Sequence, residues 1–245
     1  MMSKRFGLLG FPLGHSFSPT YFKKKFEEEG LYDHSYKAVP IASVHGFKYL
    51  DQTDLVGLNV TVPYKEQIID FLDTLEGDAQ EIQAVNTIVF NNGKTIGYNT
   101  DVYGFEQSLV PLLDSEKSYK ALVLGSGGAS KAICYVLNSI GIEYKIVSRY
   151  PKEDDLSYRS IDESIMNTHH LIINTTPLGM SPKLKTKPNI PYQYLGADHI
   201  LYDLVYNPEK TLFLKLGEQQ GSTIKNGLEM LELQAEKSWE IWNSI

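Results

Sequence analysis

Residues 121–131 read A-L-V-L-G-S-G-G-A-S-K. Four apolar residues, Ala121 to Leu124, run straight into a glycine cluster, and a helical pattern continues through Ile140. A short apolar run, a glycine turn and then a helix is how a buried strand feeds a helix in an open α/β sheet. Gly125 suits the turn, and Gly127 puts no side chain between the backbone and a pyrophosphate. The amides that open the helix then face the anion, with the positive end of the helix dipole behind them. A glycine turn that binds nothing is written in the same letters, and the sixth position of the dinucleotide pattern, usually Gly or Ala, is Ser130. The next stretch of chain favours a nucleotide. After a break at Gly141, a second apolar strand comes at residues 144–148, as a βαβ unit requires.

The end of that second strand selects the nucleotide. An NAD site places Asp or Glu there for the ribose hydroxyls, but this chain has S-R-Y-P-K at 148–152 and no carboxylate before Glu153. Arg149 and Lys152 suit a ribose 2′-phosphate instead, with Arg149 able to make a forked contact, so NADP is predicted. A solvent-exposed basic turn is the alternative. Further apolar strands are predicted at 171–174 and 200–205, followed by N-T-T-P-L-G-M and Tyr206-Asn207-Pro208. In an open α/β sheet, ligands sit beyond the carboxyl ends of strands, so these two loops are the expected walls of the cofactor site. Ordinary turn chemistry of Asn, Pro and Gly is the other reading.

Upstream, residues 6–10 read as a short buried strand, followed by G-F-P-L-G-H-S-F-S-P. Ser18-Pro19 predicts a helix start with Ser18 as N-cap, and Gly30 stops the helix after about Glu29. Phe22 and Phe26 share its inner face, and Lys23 to Lys25 ahead of Glu27 to Glu29 read as a solvated charge run. Ser16 has no capping duty and stands at the mouth of the loop; His15 is either a ligand or a locally bonded loop histidine. Residues 55–62 form the next strand, and Pro63 is expected to begin a helix with Tyr64, Ile68 and Leu72 inward and Lys65 in its first turn. There the helix dipole disfavours an ammonium, as burial would, and both suit a lysine that exchanges a proton. An exposed surface lysine is the alternative. Residues 84–90 and 94–98 flank N-N-G, a hairpin signal. Asp101 precedes a helical run at 102–109, either as its N-cap or as partner to a cation, and residues 111–118 read as a crossover between domains. In the last helix, from Gly227, Leu228, Leu231, Ala235, Trp242 and Ile245 lie near one face with Trp239 flanking, and Gly227, Met230 and Gln234 form an adjacent stripe. Gln234 is its polar exception, with an exposed helix glutamine as the plain reading.

The 245 residues suffice for two modest domains, and 42% hydrophobic with 22% charged residues is a globular composition. A net charge of −7 argues against nonspecific nucleic-acid binding while leaving room for an anionic ligand in a local basic pocket. The single cysteine, Cys134, allows no intrachain disulfide and reads as a small buried apolar residue, which fits a reducing compartment. The N-terminal apolar run is too short for a signal peptide, and no stretch approaches the ~20 apolar residues of a membrane span. A cytoplasmic protein without membrane, nucleic-acid or metal partner is expected, as a monomer or homodimer.

Together, and in order, these pieces resemble the shikimate dehydrogenases. The matches are S-x-S-P at 16–19, N-V-T-x-P-x-K at 59–65, A-V-N-T at 84–87 and G-x-N-T-D at 97–101. They continue with G-x-G-G-A at 125–129, N-T-T-P-x-G-M at 174–180, D-x-V-Y-x-P at 203–208 and G-L-x-M-L-x-x-Q at 227–234. The resemblance covers nearly the whole chain. It implies an α/β protein with an N-terminal substrate domain, residues 1–101, completed by a returning C-terminal helix at about 227–245. It implies a Rossmann NADP domain, a doubly wound parallel sheet, at 102–226. It implies reversible NADPH-dependent reduction of 3-dehydroshikimate to shikimate in a cleft between the domains. Carried over by position, Lys65 and Asp101 are the catalytic pair. Ser16, Ser18, Asn59, Thr61, Asn86, Tyr206 and Gln234 bind the substrate. Gly125, Ser126, Gly127, Gly128, Ala129, Ser148, Arg149, Lys152, Thr175, Leu204 and Gly227 border the cofactor.

Three departures stand out: Gln83 replaces the glycine before A-V-N-T, Ser148-Arg149-Tyr150 replaces N-R-T, and the chain is short after Tyr150. Rival readings are a dehydrogenase of quinate or an aminated analogue with NAD or NADP, a ligand-sensing module without catalysis, and a structural protein with an empty nucleotide fold. Ser16 with Ser18 favours shikimate over quinate, and the presence of both Lys65 and Asp101 argues against a sensor.

Overall fold

The computed structural model describes residues 3–14 and 16–244. The chain forms two compact units, Met1–Thr100 with Gln234–Ile245, and Asp101–Leu233. The first unit is built on a six-stranded sheet of β1 (Lys4–Gly10), β2 (His34–Pro40), β3 (Leu55–Val60), β4 (Thr74–Leu75), β5 (Thr87–Asn91) and β6 (Lys94–Tyr98). Their order is β2-β1-β3-β5-β6-β4, and β5 alone runs against its neighbours. The hairpin from β5 to β6 turns through Asn92 and Gly93, both at positive φ, the geometry that matches strand twist across a two-residue loop. Residues 84–86, expected in strand, precede the ladder, which begins at Thr87.

Two helices belong to this unit, α1 (Phe17–Glu28) and α2 (Asp78–Ile82). The N-cap of α1 is Ser16, not the expected Ser18. Ser18 is buried, with its hydroxyl turned to the Tyr36 phenol instead of the helix amides. Pro19 then stands within the first turn, where its missing N–H leaves no intrahelical bond unmade. The charge run is only partly solvated: Lys25 is 15% exposed and lies 2.8 Å from both Glu29 and Glu236, and Tyr21 also donates to Glu236.

Residues 234–243 complete the unit. Trp242 packs on Phe6 and Phe22 with ring centroids 5.0 and 5.5 Å apart, and its indole N–H donates to the Ile88 carbonyl at 3.0 Å. The indole lies over Gly57 of β3, where a Cβ would collide with it. The buried positions here are Gln234, Ala235, Ser238 and Trp242, while Leu228, expected on the packed face, is exposed. The Gln234 stripe is therefore an inner one, and Gln234 is a buried glutamine.

Gln83 ends α2 in the left-handed conformation, φ 55° and ψ 45°. That conformation costs a residue with a Cβ roughly 1–2 kcal/mol and glycine almost nothing. The glutamine recovers part of it by donating from Nε2 to the Gln80 carbonyl at 2.5 Å. Gln83→Gly should stabilise the protein by about 1 kcal/mol, a rise of roughly 2–4 °C in melting temperature. An unchanged or lower melting temperature would mean that the side-chain bond offsets the backbone cost.

The second unit opens with α3 (Asp101–Leu109), followed by β7 (Lys120–Leu124), α4 (Gly128–Ser139), β8 (Glu143–Ser148), β9 (Leu156–Ser157) and α5 (Glu163–Met166). Then come β10 (Leu171–Asn174), β11 (Ile200–Asp203), α6 (Leu212–Gln219), β12 (Thr223–Lys225) and α7 (Leu228–Asn243), the last divided between the units. All six strands are parallel, in the order β12-β11-β10-β7-β8-β9. Ala121 to Leu124 and Leu171 to Ile173 are fully buried, as strands covered on both faces must be, which is why they read as unbroken apolar runs. This is the doubly wound order of dinucleotide-binding sheets. One element is reduced: only residues 149–155 separate β8 from β9, with no helix between them.

Candidate active site

The glycine loop joins β7 to α4. Gly125 has φ +119°, open only to glycine, and a Cβ there would lie 2.6 Å from Thr175 Oγ1. Thr175 holds that place by donating to the Leu124 carbonyl at 2.9 Å. Gly127 is the N-cap of α4, and a Cβ on it would meet nothing within 4 Å. The loop is thus open on the side a phosphate would approach. Gly128 and Ala129 supply the first helical amides, and α4 has no acidic residue in its first turn to compete with an anion. Ser130 does not disturb this arrangement: it is buried and donates to the Gly127 carbonyl at 2.6 Å.

A groove of about 450 Å³ opens over this loop, lined by Ser126, Gly127, Ser148, Arg149, Thr175 and Tyr158 among others. Ser126 Oγ and Ser148 Oγ are 3.3 Å apart, and Ser148 also accepts from the Tyr150 amide. Tyr158 had no sequence signal. It enters because the chain folds straight from β8 into β9, which brings residue 158 beside Arg149. Lys152 is exposed and does not line the groove. Leu204 and Gly227 meet elsewhere in the unit. Gly227 N donates to the Val205 carbonyl at 3.3 Å, and a Cβ on Gly227 would strike the Leu204 backbone.

The carboxyl ends of β10 and β11 are joined by Asp203, which is fully buried. Its Oδ1 accepts from Asn174 Nδ2 (2.9 Å) and Val205 N (3.0 Å), and its Oδ2 from Thr211 Oγ1 (2.5 Å). Asn174 Oδ1 in turn accepts from Thr176 N and Oγ1. Both walls of the expected cofactor site therefore hang on one carboxylate. Burial outweighs the three donated bonds and pushes its pKa up from 3.8 to about 6. Between those pH values the folded state holds a proton that the unfolded state has released. Stability from this group is therefore full below pH 4 and is lost as pH rises through 6, by roughly 3 kcal/mol. Asp203→Asn should flatten that slope in urea unfolding measured at pH 4–7. A mutant curve parallel to wild type would remove Asp203 as its source.

In the first unit, polar side chains gather where β3 and β6 end and β5 begins. Asn59 Oδ1 accepts from Tyr36 OH (2.8 Å), and its Nδ2 donates to Ser238 Oγ (2.9 Å), Thr87 Oγ1 (3.2 Å) and the Asn86 carbonyl (3.3 Å). Asn86 Oδ1 accepts from Thr100 N at 2.7 Å, and its Nδ2 donates to Thr100 Oγ1 (3.0 Å) and Gln234 Oε1 (3.4 Å). Asn59, Asn86 and Gln234 are nearly inaccessible. Ser18 approaches the same group through Tyr36. Ser16 is half-buried and donates to the Leu13 carbonyl at 3.3 Å.

Lys65 is not in the first turn of an α-helix. It stands in a turn in which Tyr64 N donates to the Thr61 carbonyl, and a 3₁₀ segment, Gln67–Phe71, begins only after it. The chain leaves the helical path at Leu72 because Thr74 and Leu75 pair with β6, so a strand contact overrides the helical pattern. No aligned helix dipole acts on Lys65. Instead its carbonyl accepts from Val85 N at 2.7 Å, while Val60 N donates to the Asn86 carbonyl at 2.8 Å. These two bonds bring Thr61, Lys65 and Asn86 together from distant stretches of sequence. Asp101, buried, is the first residue of α3 rather than its cap. Tyr206 follows β11, partly buried, and that burial raises its phenol pKa. His15 lies outside the described residues. Among the described residues no group of three or more His, Cys, Asp or Glu could hold a metal ion, and no helix is long and apolar enough to cross a membrane.

A parallel sheet in this order, with an open glycine loop at a helix start and an arginine beyond the next strand, defines a dinucleotide-binding protein of the Rossmann class. The family model for the shikimate dehydrogenase substrate binding domain matches residues 8–88. The shikimate dehydrogenase (NADP(+)) of Caldanaerobacter subterraneus subsp. tengcongensis is 38% identical over 98% of this chain and 91% of its own. That of Methanococcus aeolicus is 37% identical over 99% and 93%. The crystal structure of the Thermus thermophilus enzyme, in complex with NADP(H) and shikimate, superposes with a TM-score of 0.86. That enzyme is 30% identical, and the match covers 99% of this chain and 94% of that one. This chain belongs to the shikimate dehydrogenase family.

Proposed function

We propose that the chain catalyses the reversible NADPH-dependent reduction of 3-dehydroshikimate to shikimate. The observation that carries this reading is positional: the motifs of the resemblance that bear polar or glycine residues gather at the ends of strands, around one glycine groove and one polar cluster. The second unit, 101–233, is the NADP domain, and the first is the substrate domain. Gly125 to Ala129 would hold the pyrophosphate, and Arg149 with Ser148 and Ser126 the 2′-phosphate. The absence of any Cβ obstacle at Gly127 and of acidic residues at the start of α4 fits that cofactor. When bound, NADPH supplies the hydride.

The chain's own residues do the rest. Asn86, Thr61 and Gln234 hold ring hydroxyls, Ser16 and Ser18 the carboxylate, and Tyr206 is a further substrate-binding residue. Lys65 Nζ gives a proton to the ketone oxygen in reduction and takes one from the hydroxyl in oxidation. Asp101 accepts from a substrate hydroxyl. Fixing the ring against the hydride donor removes much of the entropic part of the barrier. The enzyme is read as cytoplasmic, a monomer or homodimer, with no nucleic acid or membrane among its partners. Initial rates on shikimate and quinate, each with NADP and NAD, test the reading. Shikimate with NADP should be the fastest of the four, and a faster rate on quinate, or none on shikimate, would overturn it.

A further inference from the structure

The short link between β8 and β9 brings a tyrosine that no motif contains into the nucleotide groove. β9 pairs with β8 in parallel, Val147 beside Leu156 and Ser148 beside Ser157. Continued by one residue, that register brings Tyr158 up beside Arg149, close enough for the guanidinium charge to act on the phenol. Both residues line the groove over the glycine loop. The Tyr158 ring is half-buried and packs on the apolar core of the second unit, which includes Leu122 and Val147. Its orientation is therefore held before any ligand arrives.

The hydroxyl end of the ring is in a different position. Among the described residues it makes no hydrogen bond. Nor is it sealed from solvent, since among those residues only Arg5 Nε is both buried and unbonded. Burial of the ring raises the phenol pKa, and Arg149 opposes this by less, so near neutral pH the group carries its proton and can donate. Arg149 likewise makes no ion pair or hydrogen bond among the described residues. An uncommitted phenol and an uncommitted guanidinium thus stand side by side on the groove. Their common complement is an anion with several acceptor oxygens. The hydroxyl that the N-R-T pattern carries directly after arginine is absent as such: that residue is Tyr150, which is 84% exposed and has little packing to fix its ring.

We propose that Tyr158 is a specificity-determining residue for the cofactor: its hydroxyl donates to the ribose 2′-phosphate beside Arg149 and takes the place of the threonine hydroxyl of N-R-T. The inference rests on the proposed use of NADP. Calorimetry of the wild-type protein with adenosine 2′,5′-bisphosphate and with AMP tests that reading separately. If the bisphosphate is not the tighter of the two, the nucleotide reading fails and the inference falls with it.

In Tyr158→Phe the ring and its packing remain and only the hydroxyl is removed. The calorimetric Kd for adenosine 2′,5′-bisphosphate and the KM for NADP should each rise about tenfold, the equivalent of one hydrogen bond to a charged group. The KM for NAD should stay within about twofold, and the melting temperature should match wild type. Tyr150→Phe should leave both NADP readouts unchanged. A tyrosine that only supports the loop would weaken NADP and NAD alike, and one that only stacks on adenine would tolerate phenylalanine. Either result overturns the inference when the wild type prefers the bisphosphate. So does a loss in Tyr150→Phe that Tyr158→Phe does not show.

Discussion

Lys65→Met should lower kcat for shikimate oxidation by about 10³-fold, the typical contribution of a positioned proton-transfer group. The unbranched thioether nearly fills the lysine volume and cannot carry a proton. Shikimate affinity by calorimetry should change by no more than about threefold, because the polar cluster proposed to hold the ring is built from Asn59 of β3, Asn86 just before β5 and the C-terminal residues, not from Lys65. The turn that carries Lys65 is fixed by its backbone, through the bond from Val85 N to its carbonyl, so the substitution leaves the turn intact. A mutant retaining a tenth or more of wild-type rate would transfer the proton step to another group. A mutant that binds no shikimate would make Lys65 a binding residue instead.

Arg149→Gln should raise the KM for NADP about 30-fold and leave that for NAD within about twofold. A forked, charge-assisted contact to a phosphate is among the stronger hydrogen-bonded pairs, and NAD has no phosphate at that place. In the proposed role Arg149 has fewer helpers than the resemblance implies, since the N-R-T pattern is Ser148-Arg149-Tyr150 and Tyr150 is 84% exposed. The two serine hydroxyls, 3.3 Å apart, and Tyr158 line the same groove. That scarcity makes the arginine's share large. Equal loss with both nucleotides would show that Arg149 supports the loop and not the 2′-phosphate.

The second unit was the more legible in sequence. Its strands are continuous apolar runs because both faces are buried, and its loop is written in glycines because Gly125 sits at φ +119° against Thr175. The first unit misled local reading at three places. Ser18 looked like a cap, yet the N-cap is Ser16 and Ser18 faces Tyr36. The run at 63–72 has helical spacing, yet β4 pairs with β6 and leaves only a 3₁₀ segment. The lysine run looked solvated, yet Lys25 is held by Glu236, far along the chain. In each case a partner distant in sequence decided, and no window of neighbouring residues contains it. Ser238 could have been found: it is four residues beyond Gln234, hence on the same helical face. Tyr158 could not, since its place beside Arg149 depends on a short crossover between β8 and β9 that carries no helix.

The sequence alone determined the parallel nucleotide-binding sheet, its glycine loop and the family, because period, apolar runs and glycine positions are local properties of the chain. Only the tertiary structure decided that Asp203 ties β10, β11 and α6 into one node, and that Asn59, Asn86, Thr100 and Gln234 converge on Ser238. Hydrogen bonds of that kind join groups brought together by strand order and helix return, and their direction is set by which neighbour must donate.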